Sequence, residues 1–285
     1  MARTDSRPRR RRAVAGLLDQ PRYEVMPLSN VFDEVGCLPR GAVVTVTSSP
    51  HKGADATIDL AVRLAGHGVR PVPHLAARQV RDRVELAGFL HRLEAAGIDD
   101  VFVVGGDARE PAGEFGDGLA LLEAMDSIGH RFDHIGIPSY PDGHHAIDDG
   151  RLWAALQAKQ RYATYTVTQM CFDAAAISRF TLALRRHGIT LPIYAGIPGV
   201  VDMAKLLRVS LRIGVGDSLR FARGNKAASR RLLTPRGYRP DALVRKLGAH
   251  VHDGKAELAG LHIYTFNHID ATVRWMQTAR RKVAS

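Results

Sequence analysis

Two cysteines in 285 residues, Cys37 and Cys171, are too few and too far apart for a disulfide framework or a cysteine-based zinc site. Aromatic residues make up 6% of the chain, and no basic groove interleaved with them is visible, so nucleic-acid binding is not expected as the main function. No window approaches the roughly 18 apolar residues that a membrane-spanning helix needs. The early arginines are not followed by an apolar stretch of secretory type. No internal repeat and no proline-rich linker divides the sequence. These absences point to a chain of the reducing cytoplasm with no membrane partner, and they leave its oligomeric state open.

What is present begins with charge. The formal net charge is +11, but six arginines fall in the first twelve residues, with Pro8 among them. Their density and low hydrophobicity predict a disordered basic tail over 1–20. The remainder, 21–285, is only mildly basic, a balance that suits a polyanionic small ligand. The hydrophobic content of 45% is enough for a substantial core.

Apolar runs then recur, and nearly every one ends on a side chain capable of chemistry. Tyr23-Glu24-Val25 leads. Residues 43–46 run into Thr47-Ser48-Ser49, and Val72-Pro73 into His74. Residues 101–104 close on Gly105-Gly106-Asp107, 135–138 on Ser139-Tyr140, and 165–168 on Gln169. Ile193-Tyr194-Ala195 stops at Gly196, and 261–265 is followed two residues on by Asn267. Between them the spacing of apolar residues predicts amphipathic helices over 56–66, 80–96, 118–128, 152–163, 174–187 and 271–281. Strand then helix, about eight times, favours a single (β/α)8 TIM barrel, whose strand C-termini open on one face. An open doubly wound sheet would need phosphate-binding glycines after the first strand, and Met26-Pro27-Leu28-Ser29-Asn30 has none. Residues 214–240 are the least regular, and are expected to hold the return from the seventh strand and an extra helix.

Several strand-end residues carry candidate chemistry. Glu24 in a β-prone apolar run would lose solvation, which favours a general acid, although an ion-paired structural glutamate fits as well. Asp107 follows two glycines and could face a ring with hydrogen-bond donors, or serve as a turn or cap residue. His74 could act at the site or be a satisfied core histidine. The Tyr140-Pro141-Asp142-Gly143-His144-His145 turn is rich in donors, but adjacent histidines are expected to point apart, so no metal site is assigned. Gln169, a neutral amide in Val-Thr-Gln-Met-Cys-Phe, needs partners if buried. A heterocycle with amide character would supply both, and a structural role is the alternative.

In this order the segments resemble the methylenetetrahydrofolate reductase family from Tyr23 to about Trp275. The matching elements are Tyr23-Glu24-Val25-Met26-Pro27, Val46-Thr47 with Gly53 and Thr57, Pro73-His74-Leu75 and Gly106-Asp107. Further matches are Tyr140-Pro141-Asp142-Gly143-His144, Thr168-Gln169-Met170-Cys171-Phe172-Asp173, Pro192-Ile193-Tyr194-Ala195-Gly196-Ile197 and His262-Ile263-Tyr264-Thr265-Phe266-Asn267. The resemblance implies a barrel enzyme of one-carbon metabolism and methionine biosynthesis. Its reaction would be reduction of 5,10-methylenetetrahydrofolate to 5-methyltetrahydrofolate by NADH or NADPH, through FAD. It implies Glu24 as general acid, Asp107 between pterin and cofactor, and Gln169 and Tyr264 as folate contacts. Thr47, His74, Asp107, Tyr140, His144 and Lys159 would then be cofactor-binding positions.

The sequence departs from the family at three places. Gly105 stands where the family commonly has a flavin-contacting arginine, Lys159-Gln160-Arg161-Tyr162-Ala163 replaces its usual lysine- and glycine-bearing stretch, and His268 replaces an arginine. Losing an arginine fork removes a strong anion contact, so direct hydride transfer from nicotinamide to folate is an alternative route. A related enzyme running towards methylene-folate, or a non-catalytic folate-binding protein, are the alternative functions.

Overall fold

The computed structural model describes residues 6–28, 30–49, 51–202, 204–206 and 237–284. Eight parallel strands close into a barrel in chain order: β1 (Arg22–Val25), β2 (Val43–Val46), β3 (Arg70–Ala76), β4 (Asp100–Val104), β5 (His134–Ser139), β6 (Tyr165–Thr168), β7 (Ile193–Pro198) and β8 (Gly260–Tyr264). Closure comes from β8 pairing with β1, with Arg22 opposite His262 and Glu24 opposite Tyr264. This is the TIM barrel expected from the sequence.

Helices α1 (Ser6–Asp19), α2 (Val31–Val35), α3 (Gly53–Ala65), α4 (Arg83–Ala95), α5 (Gly118–Ile128), α6 (Asp149–Lys159), α7 (Ala174–Arg186), α8 (Asp241–His252) and α9 (Ile269–Ala284) accompany the strands. Four of them start on an aspartate whose carboxylate accepts backbone N–H groups of the first turn: Asp82, Asp117, Asp148 and Asp173. Such caps satisfy donors that a helix cannot satisfy itself. Among the described residues, no helix is long and apolar enough to cross a membrane. Most of residues 214–240, where the return from the seventh strand and an extra helix were expected, lie outside the described residues.

The alternation of β-strand side chains decides what reaches the lumen. Tyr23, Val25, Val44, Val46, Leu261 and Ile263 face the helices and join the outer core. Arg22, Glu24, Thr45, His262 and Tyr264 take the opposite parity and point inward. Val72, Phe102, Tyr165 and Val167 pack inside the barrel. At its lower end Arg22 Nη1 donates to Asp100 Oδ2 and to Tyr165 Oη, both at 2.9 Å, while Tyr165 donates to Asp100 Oδ1 at 2.8 Å. The Arg22 guanidinium also lies over the Tyr165 and Tyr194 rings at 4.0 and 4.7 Å. Arginine, carboxylate and the Tyr165 phenol thus bond one another, with the Tyr194 ring against the guanidinium, and form the barrel floor.

The expectation of a disordered segment over 1–20 is corrected for residues 6–19, which form α1. Leu17 and Leu18 are buried, at 2% and 0% exposure. Val14 reaches so close to Gly248 of α8 that a Cβ there would lie 2.3 Å from its methyl. Arg280 of α9 donates to the carbonyls of Leu18 and Asp19, closing the helix C-terminus. The arginines gave this segment its disorder-like composition, but they occupy the exposed turns, and arginine is itself a good helix former.

Candidate functional site

Glu24 is the second inward residue of β1, two positions above the Arg22 floor. Its side chain is 14% exposed, and Oε2 lies 3.0 Å from His262 Nε2 and 3.8 Å from His74 Nε2. His74 is pushed down to about 4 by burial, which Glu24 opposes and His262 reinforces. Its ring is therefore neutral near pH 7. The backbone of Glu24 is held as firmly as its side chain. Thr265 Oγ1 donates to the Glu24 carbonyl at 2.5 Å, and Asn267 clamps Met26, accepting its N–H at 2.8 Å and donating to its carbonyl at 3.1 Å. That clamp needs two successive residues at positive φ, Phe266 (54°) and Asn267 (57°).

Tyr264 connects this centre with the far rim. Its hydroxyl donates to the Thr168 carbonyl at 3.3 Å. Burial raises its pKa well above the usual phenol range, and Glu24 and then Tyr140 raise it further. Gln169 follows Thr168, half-buried; its N–H donates to the Ser139 carbonyl at 2.7 Å, and its Oε1 accepts from Met170 N–H at 2.7 Å. Half of the amide is thus spent on its own turn. Its Nε2 has no hydrogen bond from the described residues.

Asp107, Tyr140 and His144 form the opposite rim. Tyr140 is pushed up to about 12 by burial, with the Asp107 carboxylate adding to it. His144 is lowered by burial and by His145, against the pull of Asp107. Its ring meets Tyr140 edge-on at 5.1 Å. The expectation that His144 and His145 point apart is corrected: the rings stack at 4.6 Å with 24° between planes. Gly143 at φ 72° and the short His144–Ile147 bridge turn the backbone between them back on itself.

Lys159 ends α6 and reaches towards the start of α5, where a methyl on Gly118 would lie 3.7 Å from its Nζ. Burial lowers its pKa, and Asp117 opposes this. Its amine has no hydrogen bond or ion pair among the described residues. A cavity of about 130 Å³ opens beside it, lined by Ser139, Tyr140, Asp149, Trp153, Lys159 and Phe180. Thr47, at the end of β2, is tied to the frame: its N–H donates to Val25 and its carbonyl accepts from Thr57 Oγ1 at 3.4 Å. At Gly105 a Cβ would meet nothing within 4 Å, so the place of the family's arginine is open space. His268, the other altered arginine position, instead stands 3.2 Å from Lys205 Nζ.

Of the predicted residues, Glu24, His74 and Tyr264 lie on one side, and Asp107, Tyr140 and His144 share another. Gln169 is linked by its backbone to the β5 end beside Tyr140. His74 sits with Glu24 rather than with the Tyr140–His144 group. His262 was missed as a site residue, although its polarity inside the 261–265 apolar run was a signal for it. A Lys159 amine without a hydrogen bond among the described residues and a phenol–imidazole rim fit an anionic aromatic dinucleotide such as FAD, while Gly105 takes away the cation that an arginine there would add.

The family model described as methylenetetrahydrofolate reductase matches residues 21–279. A probable methylenetetrahydrofolate reductase (NADPH) of Caenorhabditis elegans is 26% identical over 208 residues, covering 67% of this chain and 31% of that protein. The chain therefore spans about a third of the length of that relative. An uncharacterized protein from Clostridium thermocellum, solved as binding two copies of 5-methyl-5,6,7,8-tetrahydrofolic acid, shares the fold. Its TM-score is 0.60 at 11% identity, over 94% of this chain and 97% of that one.

Proposed function

The chain belongs to the methylenetetrahydrofolate reductase family, and from that premise we propose that it reduces 5,10-methylenetetrahydrofolate to 5-methyltetrahydrofolate with NADH or NADPH, in the cytoplasm. The observation that carries this reading is Glu24: a carboxyl at the mouth of the barrel with one oxygen anchored by His262 and the other without a hydrogen bond from the described residues. Opening the imidazolidine ring needs one proton on N10. It leaves Glu24, the bond from the bridging carbon to N10 breaks with its electron pair going to N10, and the bridging carbon becomes an iminium on N5. A hydride then reduces that carbon to the methyl group, and the nicotinamide leaves oxidised. One reductant, one proton and one folate are consumed per methyl formed.

Gln169 would donate from its unspent Nε2 to the pterin, and Tyr264 would face the same ring. Asp107 would set negative charge beside the cationic intermediate, which favours it in a water-poor site. FAD, when bound, supplies a two-electron carrier between nicotinamide and folate, and Tyr140, His144, Thr47 and Lys159 would hold it. The open place at Gly105 favours a second reading of the same reaction, in which the hydride passes from nicotinamide to folate directly.

The test is NADH oxidation by purified protein with and without methylenetetrahydrofolate and added FAD, alongside its visible spectrum. Folate-dependent oxidation is expected, falling about 100-fold or more in Glu24→Gln with the melting temperature retained. A flavin spectrum supports the FAD route; folate-dependent turnover by colourless protein without added FAD supports direct transfer. No turnover under any of these conditions overturns the activity.

A further inference from the structure

Two imidazoles converge on Glu24 Oε2, but only one bonds it. His262 Nε2 stands at 3.0 Å, and His74 Nε2, at 3.8 Å, is beyond hydrogen-bond reach. His262 is nearly sealed, its side chain 2% exposed, and its Nδ1 is buried without a partner among the described residues. A proton on Nδ1 would be buried and unpaired, which is unfavourable. The tautomer that fits carries its proton on Nε2 and donates it to Glu24 Oε2. Oε1 receives no hydrogen bond from the described residues.

The other groups around Glu24 do not compete for this role. Thr45, opposite it on β2, has a buried hydroxyl without a hydrogen bond among the described residues. Thr265 is spent on the Glu24 carbonyl, and the Tyr264 hydroxyl on Thr168. Arg22, on its own strand, is committed to Asp100 and Tyr165.

We propose that His262 is a positioning residue for Glu24: its Nε2–H fixes Oε2, so that Oε1 is the oxygen that delivers the proton to the folate N10. This rests on Glu24 as the general acid proposed above. When the proton leaves Oε1, Glu24 becomes a carboxylate, and the bond from His262 to Oε2 becomes charge-assisted and stronger. An interaction that strengthens only as the proton moves lowers the barrier more than it aids substrate binding. Its loss therefore registers in kcat rather than in KM.

The experiment compares wild type, Glu24→Gln, His262→Phe and His262→Gln, measuring kcat and KM for methylenetetrahydrofolate across pH, with melting curves for each. His262→Phe is expected to lower kcat about 10- to 100-fold with KM within about threefold, roughly the cost of one lost donor to a developing charge. His262→Gln, whose amide can donate to the same oxygen, should recover most of the loss. An active wild type with His262→Phe unchanged in kcat overturns the proposal alone. So does an equal loss in Phe and Gln that follows the melting temperature, since that marks packing. A wild type without turnover overturns the functional reading and the proposal with it.

Discussion

A single buried ring gives the barrel a pH dependence. His74 takes up a proton near pH 4 in the folded protein, against 6.5 for an ordinary histidine. Between these values the unfolded chain binds the proton and the native state does not, so stability falls as pH drops through that window. It is flat above about 6.5 and again below about 4. The full span corresponds to about 3 kcal/mol. Urea titrations at pH 7 and 4.5 should differ by most of this in wild type and by much less in His74→Leu; equal differences would remove His74 as the source. At this scale the sequence shows residue type but not residue partners. A glutamate or glutamine in an apolar run declares that it needs partners, and Glu24 and Gln169 have them. The identity of the partner did not follow, because His262 is 238 positions away from Glu24 and meets it only through barrel closure.

Elements were legible where their physics is local. Helix α5 spans the same residues that its apolar spacing predicts, Gly118–Ile128, and α3, α4, α6, α7 and α9 differ from their predicted spans by a few residues at their ends, whereas α1, α2 and α8 were not predicted. The aspartate caps account for part of this, since Asp148 starts α6 at Asp149, before the first apolar position of the stripe. The β8–α9 turn was not legible, because its form depends on Met26 from another strand. Asn267 tolerates positive φ better than other non-glycine residues, since its short amide bonds locally. Asn267→Ala loses both bonds to Met26 and strains the turn, so a loss of about 2–3 kcal/mol is expected in chemical denaturation. A change under about 0.5 kcal/mol would show that the clamp contributes little.

At the scale of the molecule, α1 completes the wall by covering α8 and α9, and its two faces have different roles. Removing residues 1–19 uncovers the apolar surface met by Val14, Leu17 and Leu18, so a lower melting temperature and aggregation are expected in light scattering. Replacing Arg9, Arg11 and Arg12 with glutamine touches only exposed side chains and should change stability by less than about 0.5 kcal/mol. Equal harm from both would assign the charges a role in the fold. The Arg22–Asp100–Tyr165 floor has a consequence for traffic through the barrel. This paired layer lies across the lumen at the strand N-termini, so the side chains above it, Glu24 among them, look towards the strand C-terminal face. On the proposed reaction, folate, reductant and the proton that recharges Glu24 would share that face, so each turnover would clear its product before the acid is reloaded.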